Sequence, residues 1–171
     1  MTGHIRPIRI EGDVAYVTLT QGHEAIIDAA DVPLVEGVNW CVYVNKQWLY
    51  AMRSIINKQT GKRSSVLMHR VIMDTPNKME TDHINGDGLD NRRVNLRIAT
   101  TSQNQANTGA PATNTSGFKG VSWRERDKKW RAQIRSNGVY WWLGLFDTPE
   151  AAHAAYVAAS EVLHGEFARA A

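Results

Sequence analysis

Asp82 and His83 stand side by side in Thr81-Asp82-His83-Ile84-Asn85-Gly86-Asp87, and Asn91, Asn95-Leu96-Arg97 and Asn104 follow. Phosphodiester cleavage needs an activated water, stabilisation of charge on phosphorus and help for the departing oxygen. Imidazole titrates close to neutral pH, so His83 suits a general base if its other nitrogen is held by a carbonyl or amide. Magnesium prefers oxygen ligands and keeps several waters. Asp82 with an amide oxygen from Asn104 is therefore a sufficient protein contribution to a one-metal site. No other segment offers comparable chemistry: there is one cysteine, no glycine-rich phosphate loop and no serine placed as an obvious nucleophile.

These residues need a strand, a loop, a second strand and a helix to hold them. Asn85-Gly86-Asp87-Gly88 is a turn sequence, since Asn and Gly tolerate positive φ and Asn or Asp side chains bond nearby backbone groups. Asn85 and Asp87 are read as turn formers. Asn95 falls where a second strand begins, and a buried amide there can tie both sides together by donating and accepting at once. Thr101 to Asn107 offers a hydroxyl cap and a short helical turn presenting Asn104. Asn91 with Arg92 and Arg93 reads either as a solvated turn or, beside a nuclease cleft, as contacts to backbone phosphates.

Upstream, Val14 to Thr20 and Trp40 to Arg53 mix β-branched and aromatic residues with polar ones. Asp28, Asp31-Val32-Pro33 and Asn57 to Lys62 read as turns. Residues 1–64 are expected to be a β-rich region, and Ser65 to Met73 a strand leading into a short helix. Cys41 is expected to be buried beside Trp40 and Val42. Residues 65–107 are expected to form the unit that carries the Asp82-His83 chemistry. Gln105 to Ser116 has no charge, aromatic residue or apolar period, so residues 108–116 read as a flexible linker. A length of 171 residues suits two small units. The single Cys41 excludes a disulfide framework, and no apolar run reaches membrane-spanning length. The start of the chain lacks the apolar core of a signal peptide, so a cytoplasmic protein is expected.

The run from His69 to Asn107, and DHINGDGLDNRRVNLRIAT within it, resembles the phage-type branch of the HNH endonucleases. The texture of Leu19-Thr20-Gln21-Gly22, Asp28, Asp31 and Trp40 is similar to what precedes the motif in that branch. The resemblance implies a ββα-metal fold, with Asp82 and Asn104 as metal ligands, His83 as general base and Asn95 bracing the loop. Mg2+ is the expected ion, with Mn2+ second. The last letter of the family name is Asn104 here, where relatives commonly carry histidine. His69 and Arg70 match a recurring His-Arg pair, implying phosphate contact or structural support.

The last third carries three aromatic-rich alternating segments, Phe118 to Arg124, Lys129 to Ser136 and Val139 to Phe146. Turns at Arg126-Asp127-Lys128 and Ser136-Asn137-Gly138 predict a three-stranded antiparallel sheet. Thr148-Pro149-Glu150 starts a helix and Gly165 ends it. Ala151, Ala155, Ala158 and Val162 form the stripe expected to face the sheet. Residues 117–146 hold seven Lys or Arg against Glu125 and Asp127, whereas the helix is acidic. The sheet is therefore expected to face DNA.

GFKGVSW, WRAQIR, WWLGLFDTPEAAHAAY and LHGEF resemble the plant ethylene-response (Apetala-two) DNA-binding domain over residues 117–167. By motif position Lys119, Arg124, Gln133, Arg135, Tyr140 and Trp142 lie on the DNA side. Arg126 and Arg131 join them through the charge of the sheet. Trp130, Ile134, Leu143, Phe146 and Tyr156 lie mainly in the core. One of Trp141 and Trp142 is expected to be buried, since neighbours on a strand face opposite sides. Ser122 and Tyr140 stand where the plant domains carry arginine, so the plant target sequence does not transfer.

The expectation is an α+β protein: a β-rich start, a ββα-metal unit, then a sheet packed on one helix. Its activity is metal-dependent, homing-type cleavage of double-stranded DNA to 3′-hydroxyl and 5′-phosphate, with a monomer favoured and no membrane or small-molecule partner. The competing reading is a non-catalytic, sequence-specific DNA-binding protein with a degenerate nuclease fold.

Overall fold

Alternating apolar residues in the first hundred positions form short strands rather than long ones, because turn formers interrupt them every few residues. A computed structural model describes residues 4–45, 48–111 and 113–169. The chain is α+β, and its described strands make four small sheets. Contacts divide it into two units, Met1–Ala99 and Thr100–Ala171.

In the first unit, β1 (Ile8–Glu11), β2 (Val14–Thr18) and β3 (Glu24–Asp28) form an antiparallel meander. Ala15 pairs with Ile27 and Val17 with Ala25, which puts four buried residues on one face. Asp31-Val32-Pro33 leads into the single turn of α1 (Val32–Val35), as the proline near its start favours. A second meander follows: β4 (Cys41–Asn45), β5 (Trp48–Ile56) and β6 (Arg63–Leu67). Asn57 closes its last hairpin, its N–H donating to Lys62 O at 2.9 Å.

The strand-then-helix reading of Ser65 to Met73 holds, for β6 runs into α2 (Met68–Ile72). Trp40, Ile27, Val35, Met68 and Leu96 share one core, and the buried Trp40 donates Nε1–H to Val35 O. Cys41 is only half-buried, against expectation, because the strand alternation that buries Val42 turns its neighbour the other way. The hairpin β7 (Glu80–His83) and β8 (Leu96–Ala99) completes the unit.

The second unit opens with α3 (Thr101–Ala106), capped by a reciprocal pair: Thr100 Oγ1 accepts from Gln103 N, and Gln103 Oε1 accepts from Thr100 N. The described residues between 108 and 116 contain no helix or strand. The sheet order is β11 (Val139–Phe146), β10 (Lys129–Ser136), β9 (Val121–Arg124). Asn137 and Gly138, both at positive φ, make the tight β10–β11 turn.

Across β10 and onto β11 packs α4 (Pro149–His164), with Thr148 Oγ1 capping Ala151 N. Its packing face is Ala152, Tyr156 and Ser160, not the expected stripe, and Val162 is 85% exposed. In an alanine-rich helix every face is small enough to pack, so Tyr156 decides. Its ring lies over Gly120, where a Cβ would come within 2.3 Å of ring carbons. Trp141 and Trp142 are both exposed, at 49% and 55%, which corrects the expectation of one buried. The core around Val121, Ala132 and Ala152 gathers Leu143 and Phe146 and stops short of the strand's first half.

Candidate active site and nucleic-acid interface

The β7–β8 register sets Asp82 opposite Arg97 and His83 opposite Leu96. Asp82 is 3% exposed, and Arg97 donates Nε and Nη2 to its Oδ2 at 2.8 and 2.7 Å, fixing the carboxylate's orientation. His83 is buried next to it, and its Nε2 lies 3.3 Å from Asn91 Oδ1. Asn91 Nδ2 donates to Leu89 O, so its Oδ1 is the acceptor and the imidazole proton belongs on Nε2. The lone pair is then on Nδ1. Burial pushes the His83 imidazole below its usual range, with the Asn91 bond and Asp82, Asp87 and Asp90 acting in the opposite direction. A neutral imidazole is the form that accepts a proton.

The loop between β7 and β8 is held from within. Asn95 Oδ1 accepts from Asn85 N at 2.9 Å and its Nδ2 donates to Asp90 O at 2.8 Å, so one amide spans the loop. Asn85 and Asp87 are turn formers, accepting from Asp87 N and Leu89 N. β3 anchors the far end, where Ile26 N donates to Leu89 O and Asn91 N to Ile26 O.

Asn91 is 0% exposed, which excludes the solvated-turn reading for it. Arg92 forks onto Asp90 and holds that carboxyl below the usual carboxylate range. Arg93 forks onto Asp31 and also donates to Ile72 O. Both arginines thus engage acids of the fold. Arg70 donates to the carbonyls of Met79, Thr75 and Pro76, which is structural support for the turn after α2. His69 is buried, with its ring edge-on to His83 at 4.8 Å between centroids.

The first unit therefore brings Asp82, His83, Asn91 and Asn95 together. Asn104 sits half-buried on α3, which the contacts assign to the second unit. Among the described residues no three His, Cys, Asp or Glu side chains gather as a metal cage. Asp82 by itself is a buried carboxylate, a hard oxygen donor of the kind that divalent cations take. Sequence reasoning gave no role to Arg97, and read Asn91 only as part of a turn or a phosphate contact. Arg97 was legible only through the hairpin register, and Asn91 only through the fold of the loop.

In the second unit, strand alternation collects Arg124, Arg131, Gln133, Arg135, Tyr140 and Trp142 on the face away from α4, as the pairs Gln133–Trp142 and Arg135–Tyr140 show. Arg135 lies over the Tyr140 ring and Arg124 over Trp142, 5.3 and 5.5 Å from the centroids. Arg131 donates to Ser122 Oγ, and Arg126 lies in the following turn, paired with Asp127. Lys119 departs from the expectation. Its amine turns inward, donating to Ala106 O and Arg169 O, and burial lowers it to about 8.

A protein-family model described as HNH endonuclease matches residues 66–106, and one described as AP2 domain matches residues 116–166. The chain is similar to "Protein 3.8" of Escherichia phage T7, 38% identical over 88 residues that cover 52% of this chain and 72% of the phage protein. It is also similar to an uncharacterized HNH endonuclease of Acanthamoeba polyphaga mimivirus, 28% identical over 160 residues, 91% of this chain and 80% of that protein. No solved structure matches the chain.

Proposed function

Because this chain belongs to the HNH endonuclease family and carries an AP2 domain, we propose that it is a metal-dependent, homing-type endonuclease that cuts double-stranded DNA. The observation that carries this reading is the buried Asp82–His83 pair, with Arg97 orienting the carboxylate and Asn91 fixing the imidazole. His83 Nδ1 takes a proton from water, the resulting hydroxide attacks phosphorus, and the bond to the 3′-oxygen breaks. The departing 3′-oxygen takes a proton from solvent water, so the products are a 3′-hydroxyl and a 5′-phosphate. Asp82, with Asn104 by motif position, would hold a divalent cation, Mg2+ before Mn2+, which supplies charge stabilisation at the phosphate. Asn95 keeps the loop closed beneath His83.

Residues 117–167 add a second, sequence-preferring contact through Arg124, Arg131, Gln133, Arg135, Tyr140 and Trp142. Tethering through residues 108–116 raises the local concentration of the 65–107 nuclease unit at the chosen site. One chain with one such site nicks most simply. Supercoiled plasmid incubated with Mg2+ or Mn2+, with and without chelator, beside His83→Ala, tests the proposal. Metal-dependent nicking that His83→Ala loses is expected. A wild type that binds DNA and never cuts it would instead establish the non-catalytic reading.

A further inference from the structure

Two rings from outside the motif close on His83. Tyr50 comes from β5 and His69 from the first turn of α2. His69 meets His83 edge to face, centroids 4.8 Å apart and planes at 81°. Tyr50 meets His69 at 5.8 Å and 75°, and His83 at 6.0 Å and 49°. Each ring thus touches the other two, in the offset geometries that aromatic quadrupoles favour.

The third side is backbone. A Cβ on Gly88 would lie 2.3 Å from Leu49 O and 2.6 Å from Tyr50 Cδ1, so the loop that carries Asn91 reaches the Tyr50 ring only because residue 88 has no side chain. His69 is 5% exposed and its buried Nδ1 has no hydrogen-bond partner. An aliphatic residue would fill the space without an orphan nitrogen, so burial alone does not explain a ring there. Burial lowers His69 to about 3, and it therefore stays uncharged when His83 takes a proton.

Asn91 meets His83 at Nε2, and the rings of Tyr50 and His69 lie against the imidazole and restrict its rotation. We propose that Tyr50 and His69 are positioning residues that lock the plane of His83, so that the Asn91 contact sets both its tautomer and the direction of Nδ1. This rests on the reading of His83 as the general base. Neither residue needs to touch DNA to act in this way.

The test uses the full chain as wild type, Tyr50→Phe, Tyr50→Leu and His69→Ala, with two readouts. One is the 15N shifts of His83 in metal-free protein, which report its tautomer. The other is the single-turnover cleavage rate against DNA concentration. Tyr50→Phe keeps the ring and should stay within about twofold of wild type. Tyr50→Leu and His69→Ala should mix the His83 tautomers and slow cleavage by about tenfold or more, with half-saturating DNA unchanged. Unchanged tautomer and rate in both, an equal loss in Tyr50→Phe, or a loss in DNA affinity instead of rate would each overturn the assignment. Should Tyr50→Leu fail to fold, His69→Ala removes the other edge. A wild type that cuts nothing would sink the nuclease reading, and the tautomer measurement would still decide this one.

Discussion

Arg97 on β8 closes on Asp82 on β7, placing Nε and Nη2 on the same carboxylate oxygen at 2.8 and 2.7 Å. Both side chains are largely buried, so this is not a screened surface pair. Removing the partner of a buried charge costs more than the pair itself contributes. Arg97→Met should lower stability by about 3 kcal/mol in urea unfolding. Millimolar Mg2+ should restore part of that loss and stabilise the variant more than the wild type. Equal unfolding midpoints for variant and wild type would contradict a supporting role for Arg97.

Asn91 joins His83 to the loop and is fully buried. Asn91→Ala removes the acceptor for Nε2–H and the donor to Leu89 O. The expected cost is about 2 kcal/mol of stability and about tenfold in cleavage rate. DNA affinity, measured by fluorescence anisotropy, should not change. A variant that cuts at the wild-type rate would show that Asn91 only packs.

His69, with an ordinary value of 6.5, is lowered to about 3 chiefly by burial. The unfolded chain binds a proton between these values and the folded chain does not, so stability is complete above about pH 6.5 and declines as pH falls toward 3. His83 is shifted in the same direction. From His69 alone the loss by pH 5 is about 2 kcal/mol. Thermal unfolding at pH 7.5 and pH 5 measures it, and His69→Phe should flatten the dependence. A midpoint independent of pH in this range would be incompatible with a buried neutral His69.

Arg135 and Trp142 share the open face of the second unit's sheet, whereas Lys119 turns inward. Arg135→Ala should weaken DNA binding and reduce the slope of log affinity against log salt by about one. Trp142→Ala should cost about 1–2 kcal/mol of binding with little change in slope, because stacking and methyl contacts release no counterions. Lys119→Met should leave the slope alone and lower the unfolding midpoint. A salt slope that falls with Lys119→Met would return that residue to the interface.

What could be read from the chain was local. The three strands of the second unit, the Thr148 cap with Pro149, the strand entering α2 and the turns made by Asn85 and Asp87 each depend on residues a few positions apart. The Asp82-His83 sequence also marked the candidate site by itself, since these residue types carry the chemistry wherever the chain puts them. Alternation along single strands likewise sorted Arg131, Gln133 and Arg135 onto one face.

Tertiary structure decided the rest, because those contacts join residues far apart in sequence and no local window contains both partners. Tyr50 reaches His83 through the β5 register and the bare backbone of Gly88. Arg93 is committed to Asp31 across more than sixty residues, and Asn91 is buried only because its loop folds back onto β3. The packing face of α4 was fixed by Tyr156 over Gly120, a choice that an alanine-rich helix does not encode in its own period. Sequence named the groups able to react. Packing chose which neighbours hold them, since a side chain's orientation is set by whatever the fold brings within contact distance.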